Sequence, residues 1–217
     1  MKNLRIVLLL LTLFSGTAAQ AAMFPFNLPW DDASKTFLDR SVLNNGTSGS
    51  LGFVTAGSDG HTQAGGQRIR FWGLDITSSA CFPDSGDADK VAGRLAKLGV
   101  NVVRFHLMDA DWGARSIIDT SSSDTRHLSA VNLDHLDYFF FKLKEKGIYA
   151  NLNLLTGRNF KSGDGLPAAI DAMNWKDKQT VAMFNPVMIE LQKEYATQLL
   201  THVNPYTGFS YAADPAV

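Results

Sequence analysis

The residues able to do chemistry cluster at the ends of apolar segments. Arg104 and His106 stand two apart within VNVVRFHL, residues 100–107. On an extended strand that spacing puts both on one face. A guanidinium inside an apolar strand is costly unless it meets a partner, so Arg104 is expected to serve a site at the strand end. His106 beside it suits either a hydrogen bond to a ligand hydroxyl or a satisfied core position. Asp109 and Asp111 follow in HLMDAD. With His106 they reach one cation only if the loop curls, so polar contacts to a ligand or to loop backbone are expected, and no metal or other cofactor. Trp112, Phe160 and Trp175 lie in long polar stretches, where an exposed ring either stacks on a ligand or packs the loop down. Asn153 and Arg158 stand at and after the end of a further apolar segment, and Asp75 sits near the end of an earlier one.

These residues need strands to carry them. Residues 68–76, RIRFWGLDI, read as a strand, and residues 87–98 as a helix with Asp87 as N-cap and an apolar face of Val91, Leu95 and Leu98. Residues 100–107 form a second strand. Residues 132–146 form a second helix with Leu133, Leu136, Phe140 and Leu143 on one stripe, and residues 148–155, IYANLNLL, a third strand. Gly99 and Gly147 stop the first two helices. Asn185-Pro186 opens a third helix, which buries Val187, Leu191, Tyr195 and Leu199. The order β-α-β-α-β-α implies a parallel sheet with right-handed crossovers. The connections after the second and third strands, residues 108–131 and 156–184, are long. Loops of that length in a compact domain are usually functional, and they lie at the carboxyl ends of the strands, where barrels and open α/β sheets hold their sites. Before all this, residues 23–67 are rich in Gly, Ser, Asn and Thr. With Asp59-Gly60 and Gly65-Gly66 as turn signals, they read as a small β-hairpin cap.

Composition narrows the function classes. The formal net charge of -1 across 217 residues gives no basic face for nucleic acid. Cys81 is the lone cysteine, so an intramolecular disulfide is excluded and a cysteine-based zinc site is not expected. The loop after the first strand has no glycine-rich phosphate cradle, and no Gly-x-Ser-x-Gly elbow occurs. Residues 1–22 read as a secretory signal: Lys2 and Arg5, an apolar run over 6–14, then Ala19-Gln20-Ala21 as a cleavage motif. The run is shorter than the ~20 residues that span a bilayer, so no stable membrane span is expected after cleavage and the destination is periplasmic or extracellular. Nothing in the composition sets an oligomeric state.

At RIRFWGLDIT, GVNVVRFHLMDADW, LDYFFFKLKEKGIYANLNLL and NPYTGFSYAADPAV the sequence resembles clan A glycoside hydrolases, the cellulase-like family-five (β/α)8 barrels in particular. The resemblance covers roughly residues 67–217 and implies the first three βα units of a TIM barrel behind a β cap. It implies a carbohydrate substrate and a retaining hydrolase, with one glutamate as acid/base on the fourth strand and another as nucleophile on the seventh. Arg104 then matches the arginine that holds the nucleophile carboxylate ionised, and His106, Asp109, Trp112, Asn153, Arg158 and Trp175 become candidate substrate contacts. The glutamates of this sequence, Glu145, Glu190 and Glu194, all fall on expected helices. A fourth strand is expected to begin at about Ala216, and a full barrel takes ~250 residues. The resemblance therefore implies a barrel truncated before strand four, with both catalytic glutamates beyond Val217 and no glycosidase activity in the fragment alone. The cellulase pattern usually has histidines at the end of the third strand, where this sequence has Leu154-Leu155-Thr156. Cellulose is thus not the expected substrate. The competing expectation is a complete, non-catalytic exported carbohydrate-binding protein that uses the loop aromatics as a platform.

Overall fold

The computed structural model describes residues 23, 25, 32, 34–44 and 46–217; the expected signal segment lies outside the described residues. Three short strands, β1 (Thr55–Ala56), β2 (Thr62–Ala64) and β3 (Gln67–Arg68), make an antiparallel meander in that order. The β2–β3 link is the two-residue turn Gly65-Gly66, with φ of 55° and 75°. Two successive positive φ values are what a tight hairpin matched to strand twist requires, and glycine adopts them without a Cβ clash.

The strand expected over 68–76 is two pieces. Arg68 ends the cap meander, and the barrel strand β4 is Gly73–Thr77. Asn101 makes the corner between them: its side-chain amide donates to the Arg70 carbonyl at 2.7 Å, and its Oδ1 accepts from the Trp72 amide at 2.7 Å. Then follow α1 (Ser85–Lys97), β5 (Val102–His106), α2 (Ala130–Glu145), β6 (Tyr149–Leu152), α3 (Trp175–Ala182) and α4 (Pro186–Thr201). β4, β5 and β6 form a parallel sheet in sequence order, with Asp75, Arg104 and Asn151 in one row.

The outer face of this sheet carries the core. Val103, Phe105 and Ala150 meet Leu136, Phe139, Phe140 and Leu143 of α2, all buried. Phe105 meets Phe139 edge-on at 5.8 Å between ring centroids. Each of the valine, leucine and phenylalanine side chains contributes about 1.5–3 kcal/mol by leaving water. The buried stripe of α1 is Ala88, Ala92, Leu95 and Ala96, whereas Leu98 of the expected apolar face is 49% exposed. The small alanines let α1 lie close to α2, and a pattern weighted towards large side chains overlooks them. Asp84, not Asp87, is the N-cap residue. On α4 the cap is Asn185 as expected, its side chain accepting from the Met188 amide. Met188, not Val187, joins Leu191, Tyr195 and Leu199 inside.

Gly147 ends α2 at φ 73°, where a Cβ would stand 2.5 Å from the Gly46 carbonyl oxygen. After α4 the chain returns to the sheet: Asp214 takes a buried ion pair from Lys144 at 2.7 Å, and Ala216 accepts from the Ala150 amide of β6 at 2.8 Å. The expected start of a fourth strand thus lies beside the third. Among the described residues no helix is long and apolar enough to cross a membrane.

Candidate functional site

Strand alternation turns Val103 and Phe105 towards the helices and leaves Arg104 and His106 on the opposite, inner face. The neighbouring strands add Asp75 and Asn151 in register with Arg104, and Thr77 in register with His106. Arg104 Nε donates to Asn153 Oδ1 at 2.8 Å, and its NH1 stands 3.8 Å from Asp75 Oδ2. The Arg104 and Asp75 side chains are about half exposed, 47% and 49%. An exposed pair at that separation adds little stability. It leaves a floor of donors and acceptors that is half open to solvent. The sequence set Arg104 and Asn153 at the ends of separate strands without pairing them; the structure brings them into contact, with Asp75 beside them. His106 is half-buried, and its Nδ1 takes no hydrogen bond from the described residues. Its carbonyl accepts from the Cys81 thiol at 3.6 Å. Burial pushes that thiol up to about 12, so it stays protonated and serves as a donor.

Above the floor lie the two long connections, which the structure fastens to each other. Ala110 bridges Arg158. Asp109 is 2% exposed and accepts from the Thr156 amide at 2.9 Å, the Thr156 hydroxyl at 3.0 Å and the Gly157 amide at 2.8 Å. Its carboxylate is spent on loop backbone, the second of the two roles considered for it, so it is not a substrate contact. Asp111 instead accepts from the Asn159 side chain at 2.9 Å. Among the described residues no three His, Cys, Asp or Glu side chains gather as a metal would need.

Arg158 also departs from expectation. It is 1% exposed, and its guanidinium donates to the Thr125 hydroxyl, the Thr125 carbonyl and the Leu191 carbonyl at 2.9, 2.8 and 2.7 Å. Thr125 in turn donates through amide and hydroxyl to the buried Asp164. Burial presses the Arg158 pKa down, opposed by the Asp164 carboxylate, but a guanidinium is so strong a base that it stays charged. Arg158 is thus a tie between the loops and α4, with no surface left for substrate. Phe160 is likewise buried, under the Arg158 guanidinium.

The two tryptophans come together. Trp112 is 48% exposed, and its ring centroid lies 4.7 Å from that of Trp175 at an interplanar angle of 42°. Trp175 is not in an irregular loop: it opens α3, behind Asn174, whose side chain accepts from the Lys176 amide. Lys176 Nζ stands 5.7 Å from the Trp175 ring centroid. The residues that sequence reasoning missed are Thr156, Gly157 and Asn159. A Thr-Gly pair directly after a strand was the available signal. The three glutamates lie on helices, paired with lysine or arginine: Glu145 with Lys142, Glu190 with Lys193, Glu194 with Arg126.

No family model matches the chain, and no curated protein does. Solved structures do. The endo-1,4-β-mannanase from Rhizomucor miehei superposes with a TM-score of 0.57 at 21% identity, covering 76% of this chain and 46% of that one. A glycoside hydrolase family 5 mannosidase from the same organism gives 0.57 at 15% identity over the same shares. The fold is a partial (β/α)8 barrel, like the corresponding part of these structures. The chain spans less than half the length of these neighbours. In this partial barrel Asp75 and Arg104 stand on the inner faces of β4 and β5, Asn153 follows the end of β6, and the tryptophan pair stands on the connections that follow the strands' carboxyl ends.

Proposed function

We propose that this chain supplies the sugar-binding front of a glycoside hydrolase barrel acting on β-1,4-linked mannose polymers. The Trp112–Trp175 pair is the observation that carries this reading. Two tilted indoles, one half exposed, on the connections after β5 and β6 offer a surface for the C–H face of a sugar ring. Arg104, Asn153 and Asp75 offer donors and acceptors for its hydroxyls. The mannanase neighbours support the choice of polymer. His106 at the end of β5 is a further hydroxyl contact in this reading.

Hydrolysis with retention needs two carboxyl groups ~5–5.5 Å apart across the scissile bond. The inner faces of β4, β5 and β6 bear one, Asp75. The three glutamates stand on helices and in ion pairs. This segment therefore binds and does not cleave; the glutamate pair belongs to strands four and seven of a whole barrel. Residues 1–22 act as an export signal, 23–67 as the cap and 68–217 as the barrel part.

The test is calorimetric titration with mannohexaose alongside a reducing-end assay on β-mannan. Wild-type protein should bind without releasing sugar, and Trp112→Ala should weaken binding about tenfold or more, the loss of a principal ring contact. Saturable binding that ignores Trp112→Ala, or β-mannan hydrolysis by the pure chain, would overturn the reading.

A further inference from the structure

We propose that Asp109 is a positioning residue that sets the geometry of the Trp112–Trp175 pair; the inference rests on the sugar-binding reading of that pair. Four observations converge on it. The Asp109 carboxylate is buried and accepts three hydrogen bonds, all from Thr156 and Gly157. The Thr156 hydroxyl that donates to Asp109 also accepts from the Leu107 amide at 3.1 Å, which closes a ring of contacts between the ends of β5 and β6. Leu107 itself holds φ at 55°, a left-handed conformation that a γ-branched residue adopts only when its surroundings fix it. Gly157, the third donor, is the residue on which Trp112 rests. A Cβ there would stand 2.9 Å from the Trp112 ring, 2.9 Å from Ala110 and 3.1 Å from Leu107.

The causal chain is short. Asp109 pulls Thr156-Gly157 against the β5 connection, the bare backbone of Gly157 makes a seat, and Trp112 lies on the seat with its ring against Trp175. The same clamp begins three residues after Asn153, the partner of Arg104, so floor and platform share one anchor. An ionised carboxylate can accept from several donors at once. Asparagine at 109 would turn an amide N–H₂ towards at least one donor and open the seat. Thr156→Val is the milder change: it keeps the volume and removes only the hydroxyl that links Asp109 to Leu107.

Two indoles in van der Waals contact and tilted to one another couple their excited states, which gives a paired positive and negative band in far-ultraviolet circular dichroism. That couplet reads the pair without any ligand, and a merely structural role for Asp109 would not move it. The experiment compares wild type, Asp109→Asn, Thr156→Val and, as the reference for a lost couplet, Trp175→Phe. Each is measured for the couplet, for thermal unfolding and for mannohexaose affinity. In folded Asp109→Asn and Thr156→Val the couplet should collapse towards the Trp175→Phe spectrum, and affinity should fall roughly three- to tenfold, the worth of one misplaced ring contact. An unchanged couplet in folded variants overturns the inference whatever the affinity does, and Thr156→Val alone decides it should Asp109→Asn not fold. A lost couplet with unchanged affinity leaves the inference standing and sinks the sugar-binding reading instead.

Discussion

Replacing Tyr211 by phenylalanine removes one hydroxyl and exposes the logic of the most buried carboxylate on α2. Asp137 is 1% exposed. Tyr211 donates to its Oδ1 at 2.7 Å, and His202 Nε2 stands 2.7 Å from its Oδ2. Tyr211 is itself buried, so no water replaces the lost donor without the packing opening. A hydrogen bond to a charged group contributes about 1.5–3 kcal/mol. For a chain of this size each kcal/mol moves the unfolding midpoint by about 2–4 °C, so Tyr211→Phe should lower it by roughly 3–12 °C at neutral pH. The pH dependence carries the sharper signature. Burial holds the Asp137 carboxyl above its ordinary value, opposed by the hydrogen bonds from Tyr211 and His202; neighbouring Asp134 adds to the upward push. A folded value above the unfolded one means that protonation favours the folded chain. That contribution is complete below the unfolded value of about 3.9 and is lost as pH rises through the raised folded value. The Tyr211 hydroxyl serves the charged form, so the Tyr211→Phe penalty should be full above the folded value and shrink as pH falls through it. Urea unfolding followed by circular dichroism at a series of pH values measures this. A penalty under about 0.5 kcal/mol at neutral pH, or one that does not shrink in acid, refutes the argument.

Two other expectations test the reading of charge and of processing. Arg158→Met keeps much of the length but leaves the carbonyls of Thr125 and Leu191 without their donor. Removing one member of a buried polar network costs about 3–5 kcal/mol, so urea midpoints should fall steeply; a change within about 0.5 kcal/mol would show that the network tolerates its loss. If residues 1–22 are an export signal, mass spectrometry of protein recovered from the periplasm or medium should find a chain that starts near Ala22; a chain retaining Met1 there would contradict it.

The alternation of strand and helix was legible because each element carries its own period and each of the first two helices ends on a glycine that must take positive φ, Gly99 at 76° and Gly147 at 73°. The shared face of Arg104 and His106 was legible for the same local reason: strand geometry fixes which way a side chain points. The bond from Arg104 to Asn153 was not, since it joins two strands. What failed was non-local. Arg158 and Asp109 read as functional because a charge near a strand end has no visible partner in the sequence. Their partners lie far along the chain, Thr125 and Leu191 for the one, Thr156 and Gly157 for the other. Helix α3 escaped because it is short and largely polar, with no stripe to announce it. The Trp112–Trp175 contact joins residues sixty-three apart and has no local signal at all.

Cys81 gives the molecule a built-in clock. Its sulfur is 0% exposed, and burial holds the thiol protonated until about pH 12. A thiol reagent must wait for the packing around Phe82, Met108 and the end of β5 to open before it meets a reactive thiolate. Where reaction outpaces reclosing, the labelling rate therefore reports how often the core around this residue opens, with no engineered cysteine needed. The same shielding keeps two copies from cross-linking through sulfur in oxidising surroundings for as long as the core stays shut.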